Sequence, residues 1–201
     1  MLCSYVNRFH VHIMKPHIAK LLSFFNFVLG LKQIQRSGWK FKASIGSPES
    51  VADHSFSLCA MAMVFSDLTG LNTERALKMA ILHDLGESII GDFMPGQISR
   101  PVKKDLEQKA MISILKNLPN SLYDEYCQIW KEYLSHRTHL SKLIHNLDKL
   151  EMILQARRYM NDGYSKVKLR ELIDSANTGL SIERRDFISE VLQGLNAASI
   201  H

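Results

Sequence analysis

The residues with the clearest chemical potential lie in the stretch I-L-H-D-L-G-E at positions 81–87. Its apolar members predict the core-facing side of a helix, yet His83, Asp84 and Glu87 lie beside that side, where ionisable groups lose hydration. Such groups either point to solvent or are held by something such as a cation. An adjacent His-Asp pair is common by chance, so other residues must distinguish these cases.

Two further candidate ligands lie on other predicted helices. His54 shares a helix face with apolar neighbours three and four residues away, so its side chain is expected to point partly inward. Asp148 lies on the flank of the apolar stripe of a long helix, where a carboxylate must be exposed, paired or metal-bound. A lone inward histidine is more often a core residue, and Lys149 or Arg157 could pair with Asp148.

Together these residues form a nitrogen and oxygen donor set without thiolates. Two imidazoles and two carboxylates suit Mn²⁺, Co²⁺, Fe²⁺, Zn²⁺ or Mg²⁺ and leave positions open for water and substrate. The members of the set are His54, His83, Asp84 and Asp148.

Helical periodicity runs through the chain, and no stretch alternates long enough to predict a strand. The sequence therefore predicts an all-α domain, a single bundle of six or seven helices. Ser47-Pro48-Glu49 is typical of a helix start, with a capping side chain, a proline and an acid. The predicted helices span approximately residues 21–31, 47–66, 73–90, 102–118, 122–133, 140–160 and 182–195, and loop-rich crossings span 91–101 and 161–178.

Composition bounds the class of protein. The chain has 201 residues, which suits one domain, and its three distant cysteines argue against a disulfide scaffold and favour a cytoplasmic location. The apolar run 21–31 is shorter than the roughly 20 residues that span a bilayer, so it predicts a buried first helix and no membrane segment. Residues 1–13 show no clear period and are expected to be an extension, with Met14 as an alternative start, before a domain of residues 14–201.

The extended blocks around the candidate ligands resemble the HD-domain metal-dependent phosphohydrolases. His54, then His83-Asp84, then Asp148 matches the H…HD…D signature of that superfamily. The blocks P-E-S-V-A-D-H-S, H-D-L-G-E-S-I-I-G-D and L-D-K-L-E-M-I-L-Q-A, with R-S-G-W upstream, are similar to its 5′-deoxynucleotidase branch. The resemblance covers about residues 21–164 and implies an HD-domain bundle, usually a homodimer.

The resemblance also implies roles. The four residues of the signature would bind one divalent cation, and the reaction would release phosphate from 2′-deoxyribonucleoside 5′-monophosphates. Glu87 would position or deprotonate the attacking water, or donate a proton to the leaving oxygen. Asp92 would face the sugar, and Arg36 and Trp39 match the segment that contacts phosphate and nucleoside. Either Trp39 or Asp92 is expected to fill the space of a 2′-hydroxyl.

The charge distribution agrees with an anionic substrate. Residues 1–48 contain seven of the 25 basic residues and no acid. A divalent ion facing two carboxylates is nearly neutral, so a separate cation is needed to clamp a phosphate dianion. Arg36, Lys40 and Lys42 lie in this acid-free segment, just before the helix that contains His54.

Some features depart from the resemblance or leave alternatives. Gly38 stands directly before Trp39 where some relatives have arginine, and the loop 42–47 is one residue longer than expected. The minimal HD site also serves phosphodiesterases and nucleoside triphosphate hydrolases. A non-catalytic nucleotide-binding protein is a further alternative. Nucleic acid is not an expected partner, because exposed aromatic residues are not interleaved with the basic ones.

Overall fold

The computed structural model describes residues 18–177, 189–191 and 193. In these ranges the chain is all-α, as predicted, with an isolated bridge between Gln35 and Ser50 and no strand. Eight α-helices lie within residues 18–177, where the sequence predicted six, and a seventh predicted helix falls after residue 177. They are α1 (Ile18–Gly30), α2 (Val51–Thr69), α3 (Thr73–Leu82), α4 (Glu87–Ile90), α5 (Arg100–Leu115), α6 (Asn120–Ser135), α7 (His139–Asn161) and α8 (Lys166–Asn177).

Helix α2 begins later than the sequence predicted. Ser50 is the capping residue: its hydroxyl accepts from the backbone N–H of Asp53 at 3.1 Å, and the Asp53 carboxylate accepts from the Ser50 N–H at 2.9 Å. This reciprocal capping box satisfies two backbone donors, and Ser47-Pro48-Glu49 lies outside the helix. The predicted start was therefore wrong by three residues, and His54 occupies the first turns of α2.

The predicted single helix from 73 to 90 is wrong, because it is interrupted between α3 and α4. The backbone N–H of Leu85 bonds the carbonyl of Leu82, and that of Glu87 bonds the carbonyl of Asp84, three residues back instead of four. After α4, Gly91 adopts φ 79°, a left-handed conformation that glycine adopts without strain. The interruption coincides with the His-Asp pair.

Helix α7 is central to the packing and contacts α2, α3, α6 and α8. The main core is formed by buried side chains of α2, α3, α5, α6 and α7, among them Leu58, Met79, Ile114, Ile129 and Ile144. Because α2, α3 and α7 pack on one another, polar residues on these three helices can meet.

Helix α8 lies where the sequence predicted a loop-rich crossing. Leu169, Leu172 and Ile173 follow one another at intervals of three residues and one residue. Their side chains pack into a second core cluster with Trp39 and Tyr159. This short apolar stripe was overlooked among the charged residues of the segment. The interaction with Trp39 ties α8 to the basic N-terminal region.

The first helix forms as predicted but is not buried as a whole. Phe24 is its one fully buried side chain, while Ile18, Leu22, Phe25 and Leu29 are 42 to 57% exposed on one face. Among the described helices, none combines the length and apolar character needed to cross a bilayer.

Two sequence predictions concern residues outside the described part. The extension at residues 1–13 lies wholly outside it, so the division at residue 14 stays a prediction. The last predicted helix, 182–195, lies mostly outside it; residues 189–191 and 193 are helical.

Candidate metal centre

The predicted ligands lie close together, although they come from three separate segments: donor atoms of His54, His83 and Asp84 are within 4.8 Å of one another, and Asp148 lies beside His54. His54 is in α2, His83 and Asp84 follow α3, and Asp148 is in α7. The Nε2 atoms of His54 and His83 are 3.3 Å apart. His83 Nε2 lies 3.0 Å from Asp84 Oδ2, and His54 Nε2 lies 3.4 Å from Asp148 Oδ1 and 3.8 Å from Asp84 Oδ2.

The outer nitrogens of both imidazoles are already engaged. His54 Nδ1 is 2.6 Å from Glu151 Oε2, and His83 Nδ1 is 2.6 Å from the carbonyl oxygen of Ala80. An ionised carboxylate and a carbonyl can only accept, so each Nδ1 donates its hydrogen. In the neutral imidazoles both Nε2 lone pairs then point into the shared space, as in metal-bound histidines whose other nitrogen is fixed by a hydrogen bond.

The carboxylates of this centre are ionised at neutral pH. Burial raises the pKa of Asp84, but His83, Arg36 and His54 outweigh it and hold that pKa below its usual range. Burial also raises the pKa of Asp148, and Lys149 and His54 lower it well below the ordinary value. Once His54 loses its Nε2 proton, two anionic oxygens and two nitrogen lone pairs lie beside one another, and this donor set fits a divalent cation.

A second group of donor atoms nearby has a different explanation. Atoms of Glu49, His54 and Glu151 lie close enough to hold an ion. However, the indole N–H of Trp39 donates to Glu49 Oε1 at 2.7 Å, and His54 donates to Glu151. Burial and the neighbouring Glu151 raise the pKa of Glu49 to about 7. Hydrogen bonds and partial protonation thus account for this group without an ion.

Two cations flank the candidate ligands. Arg36 Nη1 lies 3.2 Å from Asp84 Oδ2, and Lys149 Nζ lies 2.9 Å from Asp148 Oδ2. Burial by itself would lower the pKa of Arg36. The nearby carboxylates of Asp84 and Asp92 raise it by more, so the net shift is upward and the guanidinium stays charged. The pairing of Lys149 with Asp148 is the alternative that the sequence left open, and it leaves the other Asp148 oxygen facing His54.

Glu87 lies in the wall of the same cavity, and among the described residues it forms no ion pair, although Arg36 and Lys103 are near enough to lower its pKa somewhat. Its side chain is 5% exposed, and Oε2 is buried without a hydrogen-bond partner among the described residues. Burial, Asp84 and Asp92 all raise its pKa well above the ordinary value. The pKa of this carboxyl group is therefore shifted in the direction opposite to the pKa values of the two aspartates, which favours its protonated form.

Asp92 and Trp39 lie farther along the cavity wall. The backbone N–H of Ser37 donates to Asp92 Oδ2 at 2.6 Å, and the Ser37 hydroxyl donates to the Asp92 carbonyl at 2.7 Å. These bonds fix the loop after Gly91 against the segment that contains Arg36. Trp39 is 3% exposed, and its ring meets Tyr159 edge-on, so only a small part of it faces the cavity.

The cavity has a volume of about 730 Å³. Its wall includes His83, Asp84, Asp148, Arg36 and Glu87. Three of the four predicted metal ligands therefore share one space with the predicted phosphate and sugar residues, and the fully buried His54 adjoins them through its contacts with His83 and Asp148.

Glu151 is the functional residue that the sequence reasoning missed. It is 3% exposed and lies three residues after Asp148, in the block L-D-K-L-E that was quoted for its resemblance. A glutamate one turn from a candidate ligand, on the inward side of a buried helix, was an available signal. Its role in orienting His54 required the contact between α2 and α7.

Comparison with known proteins identifies the family and related enzymes. A family model described as HD domain matches residues 28–184. The 5′-deoxynucleotidase HDDC2 of Homo sapiens is 36% identical over 156 residues, which cover 77% of this chain and 76% of the relative. The 5′-deoxynucleotidase HDDC2 of Danio rerio is 39% identical over 140 residues, 69% of each protein.

Solved structures have the same architecture. The PH0347 protein of Pyrococcus horikoshii OT3 is similar with a TM-score of 0.64 and 34% identity, over 87% of this chain and 97% of that protein. A predicted metal-dependent phosphohydrolase of Magnetospirillum magnetotacticum MS-1 also gives a TM-score of 0.64, over 89% of this chain and 92% of that one. Its identity is 22%, so this likeness concerns the fold alone.

Binding of a divalent cation is expected to release close to one proton at pH 7. Burial and Arg36 lower the pKa of His54, but Asp148 and Glu151 outweigh them and raise it to about 9. The Nε2 proton must therefore leave before the cation binds, and affinity should rise about tenfold per pH unit up to about pH 9. Calorimetric titration with Mn²⁺ in buffers of different ionisation enthalpy counts the protons.

The matched control is His139→Ala, because His139 is an exposed histidine on α7. This variant should bind Mn²⁺ with the affinity of the original chain and release the same number of protons. His54→Ala should lose most of the Mn²⁺ affinity and most of the proton release. Equal affinity at pH 6 and pH 8 would contradict the assignment of His54.

Proposed function

This chain belongs to the HD-domain family, and we propose that it is a metal-dependent 5′-deoxynucleotidase. It hydrolyses 2′-deoxyribonucleoside 5′-monophosphates to the deoxynucleoside and phosphate. The observation that carries the proposal is the proximity of His54, His83, Asp84 and Asp148 beside Arg36 at the wall of one cavity. Relatives bearing the name 5′-deoxynucleotidase over most of their length support the same substrate class.

We assign one divalent cation to the four converging ligands, His54, His83, Asp84 and Asp148. The donor set admits Mn²⁺, Co²⁺, Zn²⁺, Fe²⁺ or Mg²⁺. When bound, the cation supplies a Lewis acid for a phosphoryl oxygen and a more acidic water. Glu151 acts on this centre through His54, whose ring it holds with Nε2 directed inward.

Arg36 provides the first positive charge for the phosphate. Its guanidinium lies against Asp84 and is 17% exposed, so it is mostly desolvated and can form strong charge-assisted hydrogen bonds. When Asp84 binds a cation, part of the negative charge that holds Arg36 is neutralised. The guanidinium can then donate to a phosphate oxygen as well.

Glu87 supplies the proton for the leaving oxygen. As water adds to phosphorus, the bond from phosphorus to the 5′ oxygen breaks and that oxygen needs a proton. The sequence left open whether Glu87 acts as an acid or a base. Its raised pKa favours the acid, because a higher pKa favours the protonated form, which can donate.

Asp92 faces the sugar, and Ser37 positions it. The Ser37 N–H engages one carboxylate oxygen of Asp92. We propose that the other oxygen lies against the 2′ position of the sugar, where a hydroxyl would meet it. Trp39 stabilises the same side of the cavity, since its indole N–H donates a hydrogen bond to Glu49 and most of its ring is buried.

Phosphate release from dAMP in the presence of Mn²⁺ or Co²⁺ tests the proposed function. We expect release with either metal, none after excess chelator, and much slower release from AMP than from dAMP. Asp92→Ala should reduce the difference between the rates of phosphate release from dAMP and from AMP, while the affinity for Mn²⁺ stays unchanged. Equal rates for the two nucleotides would refute the deoxy-specific assignment.

The same assay separates the alternatives. A phosphodiesterase or triphosphate hydrolase would act on bis-p-nitrophenyl phosphate or dATP in preference to dAMP. A non-catalytic nucleotide-binding protein would bind dAMP without releasing phosphate.

Glu87→Gln is expected to lower kcat by roughly 10²- to 10⁴-fold, because the amide cannot donate a proton to the leaving oxygen. In the original chain kcat should fall as pH rises through the pKa of Glu87, and this fall should disappear in the variant. Steady-state rates from pH 5 to pH 10 measure both effects. Glu125→Gln, at a surface glutamate paired with Lys78, is the control and should behave as the original chain.

Folding of the Glu87 variant can be checked by its thermal stability. A folded-state pKa above the unfolded value means that Glu87 contributes stability at low pH that is lost as pH rises. Glu87→Gln should therefore unfold at a higher temperature than the original chain at pH 9. A catalytic loss accompanied by a lower unfolding temperature at that pH would contradict the role as a buried acid.

We also propose a cytoplasmic homodimer that does not bind nucleic acid. The free thiols of Cys59 and Cys127 support a reducing compartment. The half-exposed apolar face of α1, formed by Ile18, Leu22, Phe25 and Leu29, supports the dimer. Its spacing of four, three and four residues suits antiparallel packing on the same face of a second copy.

Light scattering is expected to give twice the chain mass of 23.0 kDa. Phe25→Glu places a charge in the apolar face and should halve that mass without loss of helix content. Lys20→Glu, also on α1, is the control for the charge change. A monomeric mass for the original chain at micromolar concentration would refute the dimer.

A further inference from the structure

Lys149 occupies a position that the proposed function does not yet use. Its ammonium group lies 2.9 Å from Asp148 Oδ2 and lines the cavity. Of the lysines that line the cavity in the described part of the chain, it is the one paired with a candidate metal ligand; Lys103 pairs with Glu107 at 3.4 Å instead.

Asp148 separates the metal position from this ammonium group. Its Oδ1 faces His54 Nε2 at 3.4 Å, and its Oδ2 faces Lys149. One oxygen can therefore bind a cation while the other holds Lys149 beside it. Arg36 lies 3.2 Å from Asp84 Oδ2, the oxygen that also faces His54 and His83, so each carboxylate of the centre contacts one basic side chain.

The charge balance of the cavity favours a second cationic side chain at the phosphate. The charges of a divalent ion and of the two aspartates nearly cancel, and the raised pKa of Glu87 favours its neutral form. A phosphate monoester carries between one and two negative charges near pH 7. Arg36 offsets one of them, and an ammonium group at the position of Lys149 would offset the other.

We propose that Lys149 is a second phosphate-binding residue, which donates a hydrogen bond to the phosphoryl group of the substrate and to the phosphate product. The assignment rests on the proposed function for the identity of the substrate, but not for the binding of phosphate. When Asp148 binds the cation, its attraction for the ammonium group weakens, and Lys149 becomes available to the phosphate.

The test measures binding of inorganic phosphate to the full chain loaded with Mn²⁺, by calorimetry, so that no turnover is required. Lys149→Met should raise the Kd of phosphate roughly 10- to 100-fold, the loss expected for one charge-assisted hydrogen bond. Lys149→Arg should restore most of the affinity. Lys142→Met is the matched control, because Lys142 is exposed on the same helix two turns earlier.

Two further measurements distinguish phosphate binding from a structural role. The Kd of Mn²⁺ for Lys149→Met should be unchanged or tighter, because a cation that competes for Asp148 has been removed. The Kd of deoxyadenosine, which has no phosphate, should be unchanged. If Lys149→Met does not fold, Lys149→Gln is measured in its place.

An unchanged Kd of phosphate in Lys149→Met would overturn the proposal. It would also be overturned if the affinity for Mn²⁺ fell in parallel, because Lys149 would then act by orienting Asp148. If the original chain binds phosphate but releases none from dAMP, the proposed function fails while the phosphate measurements still decide the role of Lys149.

Discussion

The central constraint in this protein is the enclosure of four electron-donor groups in one small space. The Nε2 atoms of His54 and His83 lie 3.3 Å apart, and each imidazole has its other nitrogen engaged as a donor. With Asp84 and Asp148 beside them, the lone pairs repel one another unless a proton or a metal ion lies between them. The rest of the site can be understood as groups that tolerate or exploit this concentration of negative charge.

Backbone geometry makes the convergence possible. Adjacent residues of a regular helix point about 100° apart, so a continuous helix would separate His83 from Asp84. The chain instead leaves helix α3 at Leu82 and forms a tight turn with hydrogen bonds three residues apart before α4 begins at Glu87. The same turn brings Glu87 into the cavity wall, close enough to Asp84 for its pKa to rise.

The carboxyl groups of the cavity have similar chemistry but different environments, which divide their roles. Asp84 and Asp148 each contact a cation and stay ionised, whereas Glu87 is buried with no ion-pair partner among the described residues, and its pKa is raised. Burial alone would raise the pKa of all three, so the neighbouring charges decide which carboxyl groups can serve as ligands and which can donate a proton.

The sequence by itself determined the all-α class, the four candidate ligands and the family, because these depend on residue type and on spacing along single helices. The break between α3 and α4 was not predicted, because its apolar residues continue the helical pattern, and the helix α8 was not predicted, because its short apolar stripe packs on the distant Trp39 and Tyr159. The partner of His54 at Glu151, the pairing of Lys149 and the protonation of Glu87 were likewise decided by tertiary structure. Hydrogen bonds and pKa values depend on distances between side chains, and the sequence specifies those distances only through the packing of α2, α3 and α7.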